Sequence, residues 1–91
     1  MIEKEFRTKG TCSRAIYVKI DDGGIIRDAE FEGGCPGNLS GIGKLVLGRR
    51  AEEVADLLRG MPCGPRATSC PDQLSRALDE MLAESRRARS A

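Results

Sequence analysis

The run Arg14-Ala15-Ile16-Tyr17-Val18-Lys19-Ile20 sets Ile16, Val18 and Ile20 on one face and Ala15, Tyr17 and Lys19 on the other, the period of two that a half-buried strand shows. Asp21-Asp22-Gly23-Gly24 follows, four residues that tolerate positive φ and close turns. Ile25-Ile26-Arg27-Asp28-Ala29-Glu30-Phe31-Glu32 then resumes the extended pattern, so the two runs read as a β-hairpin. Upstream, Ile2, Lys4 and Phe6 alternate with Glu3, Glu5 and Arg7, which suits an edge strand whose charges discourage further pairing.

Beyond the hairpin the period changes. After Gly33-Gly34 and Cys35-Pro36, apolar residues fall at Leu39, Ile42, Leu45 and Val46, the spacing of a short helix, with Gly48 placed to cap its end. Gly37, Gly41 and Gly43 lie in or near that helix, and the cost of about 1 kcal/mol that each carries relative to Ala points to close backbone packing at its start. A second helix is expected from Ala51 to Arg59, burying Val54, Leu57 and Leu58 and ending at Gly60. Met61 to Ser69, with two prolines and a glycine, reads as a loop. The last helix is expected to start at Pro71, with Leu74, Ala77, Leu78, Met81 and Leu82 on one face and Asp72 complementing the dipole in the first turn. Its basic tail, residues 83–91, loses the apolar stripe and is expected to fray. The elements sum to an α+β fold in one domain spanning 1–91: an antiparallel sheet of two or three strands covered by about three helices, with the cysteines gathered at one end.

Ninety-one residues leave no room for a second core. With 15 Lys+Arg against 14 Asp+Glu, the net charge of +1 favours neither nucleic acid nor membrane as a partner. Aromatics make up 3% and Trp is absent, so stacking platforms for single-stranded nucleic acid are not expected. Histidine is absent, which removes every His base, Ser-His or Cys-His nucleophile and His metal ligand. Met1 to Arg7 contains no apolar signal region and no stretch is long enough to span a bilayer, so a cytoplasmic protein is expected.

The remaining chemistry rests on Cys12, Cys35, Cys63 and Cys70. In a reducing compartment four cysteines in a small protein serve as metal ligands, as redox thiols or as small buried hydrophobes. Their spacing, C-x22-C-x27-C-x6-C, matches none of the usual paired zinc patterns. Topology brings them closer: a turn at Asp22-Gly23 sets Cys12 opposite Gly33 and within two residues of Cys35. Cys35-Pro36 and Cys70-Pro71 each put a cysteine before a proline at an expected helix start. Proline at the first helical position would make each cysteine the N-cap, where unpaired N–H groups and the helix dipole favour a thiolate. A helix boundary with a small capping residue accounts for the same dipeptide. Cys63 could reach the locus from its loop.

Other residues carry less. Asp21 and Asp22 are explained by the turn. Gly33-Gly34-Cys35-Pro36-Gly37 leads from strand to helix but lacks the Lys-Ser/Thr ending of a phosphate loop. Ser13, Ser40, Thr68 and Ser69 have no base to activate them, and Thr68 and Ser69 suit donors at the last helix start.

Thr68-Ser69-Cys70-Pro71-Asp72 resembles the signature of the TSCPD domain, found at the C-terminus of adenosylcobalamin-dependent (class II) ribonucleotide reductases and as small free-standing proteins with four cysteines. The likeness covers about Cys12 to Met81. It implies a metal-binding or thiol-bearing accessory module connected with deoxyribonucleotide synthesis, with a ribonucleotide reductase catalytic chain as partner. Adenosylcobalamin enters by family association alone. More distantly, Cys12, Gly24 to Phe31, Gly34-Cys35, Gly48 to Val54 and Cys70 follow the order seen in iron-sulfur cluster assembly scaffolds, which implies that family's fold and a zinc or cluster site. This sequence departs from it: Ser13-Arg14 stands where Gly-Asp is expected, no His precedes the third cysteine, and Cys63 is an extra thiol. Four thiolates saturate tetrahedral Zn(II), so a closed Cys12, Cys35, Cys63 and Cys70 zinc site in a module that is not catalytic alone is the leading expectation. An iron-sulfur scaffold or carrier and a thiol-disulfide reductant using Cys63 and Cys70 are the alternatives.

Overall fold

A computed structural model describes residues 2–8, 13–34, 36–61 and 68–90, the backbone alone at 36 and 88–90. Among the described residues the order is β1 (Ile2–Arg7), β2 (Ser13–Ile20), β3 (Ile26–Gly33), α1 (Pro36–Val46), α2 (Ala51–Leu58) and α3 (Cys70–Ser90). The strands form one antiparallel sheet, β1-β2-β3, so the fold is α+β. Edge strand β1 turns Lys4 toward the helices, where its ammonium pairs with Glu84 of α3 at 2.6 Å. A charge on the packed side of an edge strand discourages the addition of a further strand.

The hairpin closes more widely than a turn at Asp22-Gly23 would. Ile20 pairs with Ile26, the Asp21 N–H donates to the Ile25 carbonyl at 3.0 Å, and Gly24 N–H donates to the Asp21 carbonyl at 3.0 Å. The Asp21 carboxylate fixes the loop, accepting from the N–H of Gly23 at 2.9 Å and of Ile25 at 3.0 Å while pairing with Arg27. This loop and irregularities at Lys19/Ile20 and Ser13/Ala15 move the register, so Gly33 pairs with Ser13 instead of Cys12.

Ile16, Val18, Ile20, Ile26 and Ala29 of the sheet form the core with Val46 of α1, Ala51, Val54 and Ala55 of α2, and Leu74, Leu78 and Met81 of α3. Two apolar residues expected inside lie outside: Leu45 is 71% exposed and Leu57 65%. The contacting stripes explain this. In α1, Leu39, Gly43 and Val46 are buried, and a Cβ on Gly43 would stand 2.4 Å from the Ala29 carbonyl oxygen. The close approach is therefore in the third turn, not at the helix start, and a Cβ on Gly37 or Gly41 would meet no neighbouring element within 4 Å. In α2 the buried stripe is Ala51, Val54 and Ala55, with Leu58 partly covered; the small alanines bring α2 close to its neighbours and leave Leu57 outside.

The α1–α2 connection runs beside the start of β3. Gly48, in the left-handed region at φ +79°, donates to the Ile26 carbonyl, Ile26 N–H donates to Arg49, and Ala51 N–H donates to Gly24. These bonds fix the start of α2 against the hairpin turn. Helix α3 continues through residues 83–90, the segment expected to fray. Glu84 pairs with Lys4 and Arg86 with Glu52, which tie this stretch to β1 and α2 in place of an apolar stripe. No helix among the described residues is long and apolar enough to cross a membrane.

Candidate functional site

The start of α3 is built from the five residues Thr68-Ser69-Cys70-Pro71-Asp72. Ser69 is the N-cap: its Oγ accepts the Asp72 N–H at 3.1 Å, and its carbonyl accepts the Gln73 N–H at 2.8 Å. Helix α3 accordingly begins at Cys70, so Cys70 occupies the first helical position, not the cap, and Pro71 the second. A serine hydroxyl satisfies an orphan N–H better than a thiol does, which decides between the two residues. The Ser69 hydroxyl also donates to the Met61 carbonyl at 2.6 Å.

Asp72 is 1% exposed. Its Oδ1 accepts the Gly60 N–H at 2.7 Å, while Oδ2 accepts the Thr68 hydroxyl at 2.5 Å and pairs with Arg76 Nε at 3.2 Å. Gln73 Nε2 donates to the Thr68 hydroxyl at 2.9 Å, extending the network. Burial pushes the Asp72 carboxyl upward, but the Thr68 hydroxyl, the Gly60 N–H and the Arg76 guanidinium outweigh it and hold it below the usual carboxylate range. Together these bonds join the end of α2 to the start of α3 on either side of residues 62–67. The S-x-x-D spacing of Ser69 and Asp72 is a sequence signal that would have pointed to a capping arrangement, although here the carboxylate reaches Gly60.

Cys70 is 7% exposed. Its Sγ lies 3.1 Å from the Ser13 Oγ, a buried contact between residues 57 apart in sequence. It also stands at the positive end of the α3 dipole, where negative charge is favoured. Ser13 is 4% exposed and pairs through its backbone with Gly33, while its carbonyl accepts the Thr8 hydroxyl. Gly33 and Gly34 both take positive φ, 79° and 76°, a conformation that favours glycine and lets the chain leave β3 toward α1. Nothing in the sequence singled out Ser13 for this contact, because it arises only when β2 and α3 pack.

Of the four cysteines, Cys70 lies among the described residues, and Cys12, Cys35 and Cys63 lie outside them. The placements expected for those three, including Cys35 as a helix cap, also fall outside. Among the described residues no group of three or more potential metal ligands is assembled. Ser13, which follows Cys12 in sequence, contacts Cys70, and its strand partner Gly33 stands two residues before Cys35.

The chain matches no curated protein and no solved structure. The family model of the TSCPD domain matches residues 1–82, from the first strand through the buried face of α3. The strands, the helices and the hydrogen-bonded Thr68 to Asp72 motif lie within that span almost entirely, and the chain belongs to the TSCPD-domain family.

Proposed function

We propose that this protein is a small thiolate metal module in which Cys12, Cys35, Cys63 and Cys70 hold one Zn(II), chiefly for structure. It acts in the cytoplasm as an accessory or partner of a ribonucleotide reductase catalytic chain. The observation that carries the metal reading is the meeting of the Ser13–Gly33 pair with Cys70, which draws the residue after Cys12 and the strand leading to Cys35 toward the start of α3.

Donor chemistry supports it. The one described donor, Cys70 Sγ, belongs to the first residue of α3, and the positive end of a helix dipole favours the thiolate that binds metal. Four thiolates fill the tetrahedral shell of Zn(II), and a chain without histidine has no imidazole to take a place. Bound zinc would tie the open end of the hairpin to α3, adding folding energy that a 91-residue core supplies sparingly. The reductase link rests on the family's occurrence in class II reductases. Radical nucleotide reduction needs a large cofactor and an enclosed substrate pocket, so the module's part is association and not turnover.

Elemental analysis of protein purified anaerobically without chelators tests the metal reading, with about one zinc per chain expected. Iron with visible absorbance would favour a cluster carrier. A reversible Cys63–Cys70 disulfide without metal would favour a thiol reductant. Four rapidly reacting thiols and no metal would remove the site. Ribonucleotide turnover by the isolated chain, after controls for contaminating reductase, would overturn the accessory role.

A further inference from the structure

We infer that Ser13 is a positioning residue for the thiolate site, its hydroxyl donating to Cys70 Sγ and setting how strongly that sulfur binds a metal. The inference rests on the metal reading above and adds a residue to it. In the metal-binding form Cys70 carries no proton, so across the 3.1 Å contact the hydroxyl is the donor. Both partners are buried, Ser13 at 4% and Cys70 at 7% exposure, so bulk water does not replace the bond freely and its electrostatic effect on sulfur is strong. The Ser13 backbone is held independently, by pairing with Gly33 and by the Thr8 hydroxyl on its carbonyl. The hydroxyl is therefore delivered by a fixed strand to a sulfur fixed at the first position of α3. Partners in the second coordination sphere that orient a ligand and adjust its basicity alter metal affinity by about 10- to 100-fold when removed.

The test compares Ser13→Thr, which keeps the hydroxyl, with Ser13→Val, which replaces it by a methyl at the same volume. Ser13→Ala against the wild type serves if the added methyl unfolds both. Zinc affinity is read by competition with a chromophoric chelator, and cobalt(II) supplies a thiolate-to-metal charge-transfer band. The expected result is a loss of about tenfold or more in zinc affinity for Val relative to Thr, with the band moving to longer wavelength as sulfur loses the hydrogen bond. Equal affinities and coincident bands would overturn the inference. If the wild type binds neither metal, the metal reading fails, and the Ser13 contact is decided by the rate at which iodoacetamide modifies Cys70. That rate is followed on the tryptic peptide 67–76, in which Cys70 is the single cysteine. A severalfold difference between Thr and Val supports the contact, and equal rates overturn it.

Discussion

The Asp72 carboxylate accepts the Gly60 N–H at 2.7 Å, joining the turn after α2 to the first turn of α3. Gly60 takes a positive φ of 79° there, so the chain turns sharply just where the carboxylate meets it. The aspartate of the Thr68-Ser69-Cys70-Pro71-Asp72 motif thus acts as a clamp between two helices, and the serine as a cap. Cys70, between them, receives a fixed position at a helix start. Asp72→Ala strips the partner from Gly60, Thr68 and Arg76 at once and is expected to lower stability by about 1–3 kcal/mol, the range for leaving a buried polar group without its partner. Urea unfolding of both chains as purified, at equal metal content, measures it. A midpoint equal to the wild type would show that the clamp contributes nothing.

Gly43 and Gly41 should respond oppositely to alanine. At Gly43 the added Cβ would lie 2.4 Å from the Ala29 carbonyl oxygen, so α1 must lift from β3. The expected cost is about 1–3 kcal/mol, as for other overpacked sites. At Gly41 nothing lies within 4 Å, and replacing an interior helical glycine should stabilise by up to about 1 kcal/mol. Denaturant midpoints of the two variants, measured side by side, check both signs.

The contrast also marks how far the chain could be read without its fold. Alternation at Ile16, Val18 and Ile20 was legible because a strand packed on one side repeats every two residues, and Leu74, Leu78 and Met81 because a long helix repeats its stripe several times. Helices α1 and α2 are too short for that redundancy. Leu45 and Leu57 looked like core residues, yet Gly43 and Ala55 set the contact surfaces because small residues allow the closer approach. The hairpin register depended on a side chain, since Asp21 holds open a wider loop than the glycines suggested. At the site, the helix start and its Cys-Pro step were legible. The cap moved by one residue to Ser69, and the Ser13–Cys70 contact was invisible because nothing local connects residues 57 apart.

Asp21 gives the hairpin an acid-sensitive element. Its carboxyl is held below the usual range by the Ile25 N–H first, with Arg27 and the Gly23 N–H adding to the effect against opposing desolvation. A folded pKa below the unfolded value means a contribution fully present above about pH 4, the unfolded pKa of aspartate, and lost as pH falls through the depressed folded value. Asn at this position can still accept the two N–H bonds but loses the charge that pairs with Arg27. Asp21→Asn is therefore expected to melt below the wild type at pH 7, with the gap closing as the pH approaches 3. Melting temperatures of both chains across that range decide it, and a constant gap would contradict the assignment.

Cys63 separates a closed four-thiolate site from a three-thiolate one of the scaffold kind. If four thiolates close the shell, Cys63→Ser should release or weaken the metal and lower the melting temperature, because structural zinc contributes roughly 10–16 kcal/mol of apparent binding energy that is folding energy in small domains. A chelator should then unfold the wild type readily. If Cys12, Cys35 and Cys70 suffice, Cys63→Ser should leave metal content and melting temperature nearly unchanged while Cys70→Ser abolishes binding. The neck of the Cys63 segment favours the first outcome: Ser69 donates to the Met61 carbonyl at 2.6 Å, so the chain entering that segment is pinned next to the residue that precedes Cys70. No histidine in the chain competes for the place. Metal content and melting curves of Cys63→Ser and Cys70→Ser, prepared in parallel, are the deciding measurement, and a Cys63→Ser chain that keeps its full complement of zinc would exclude the four-thiolate site.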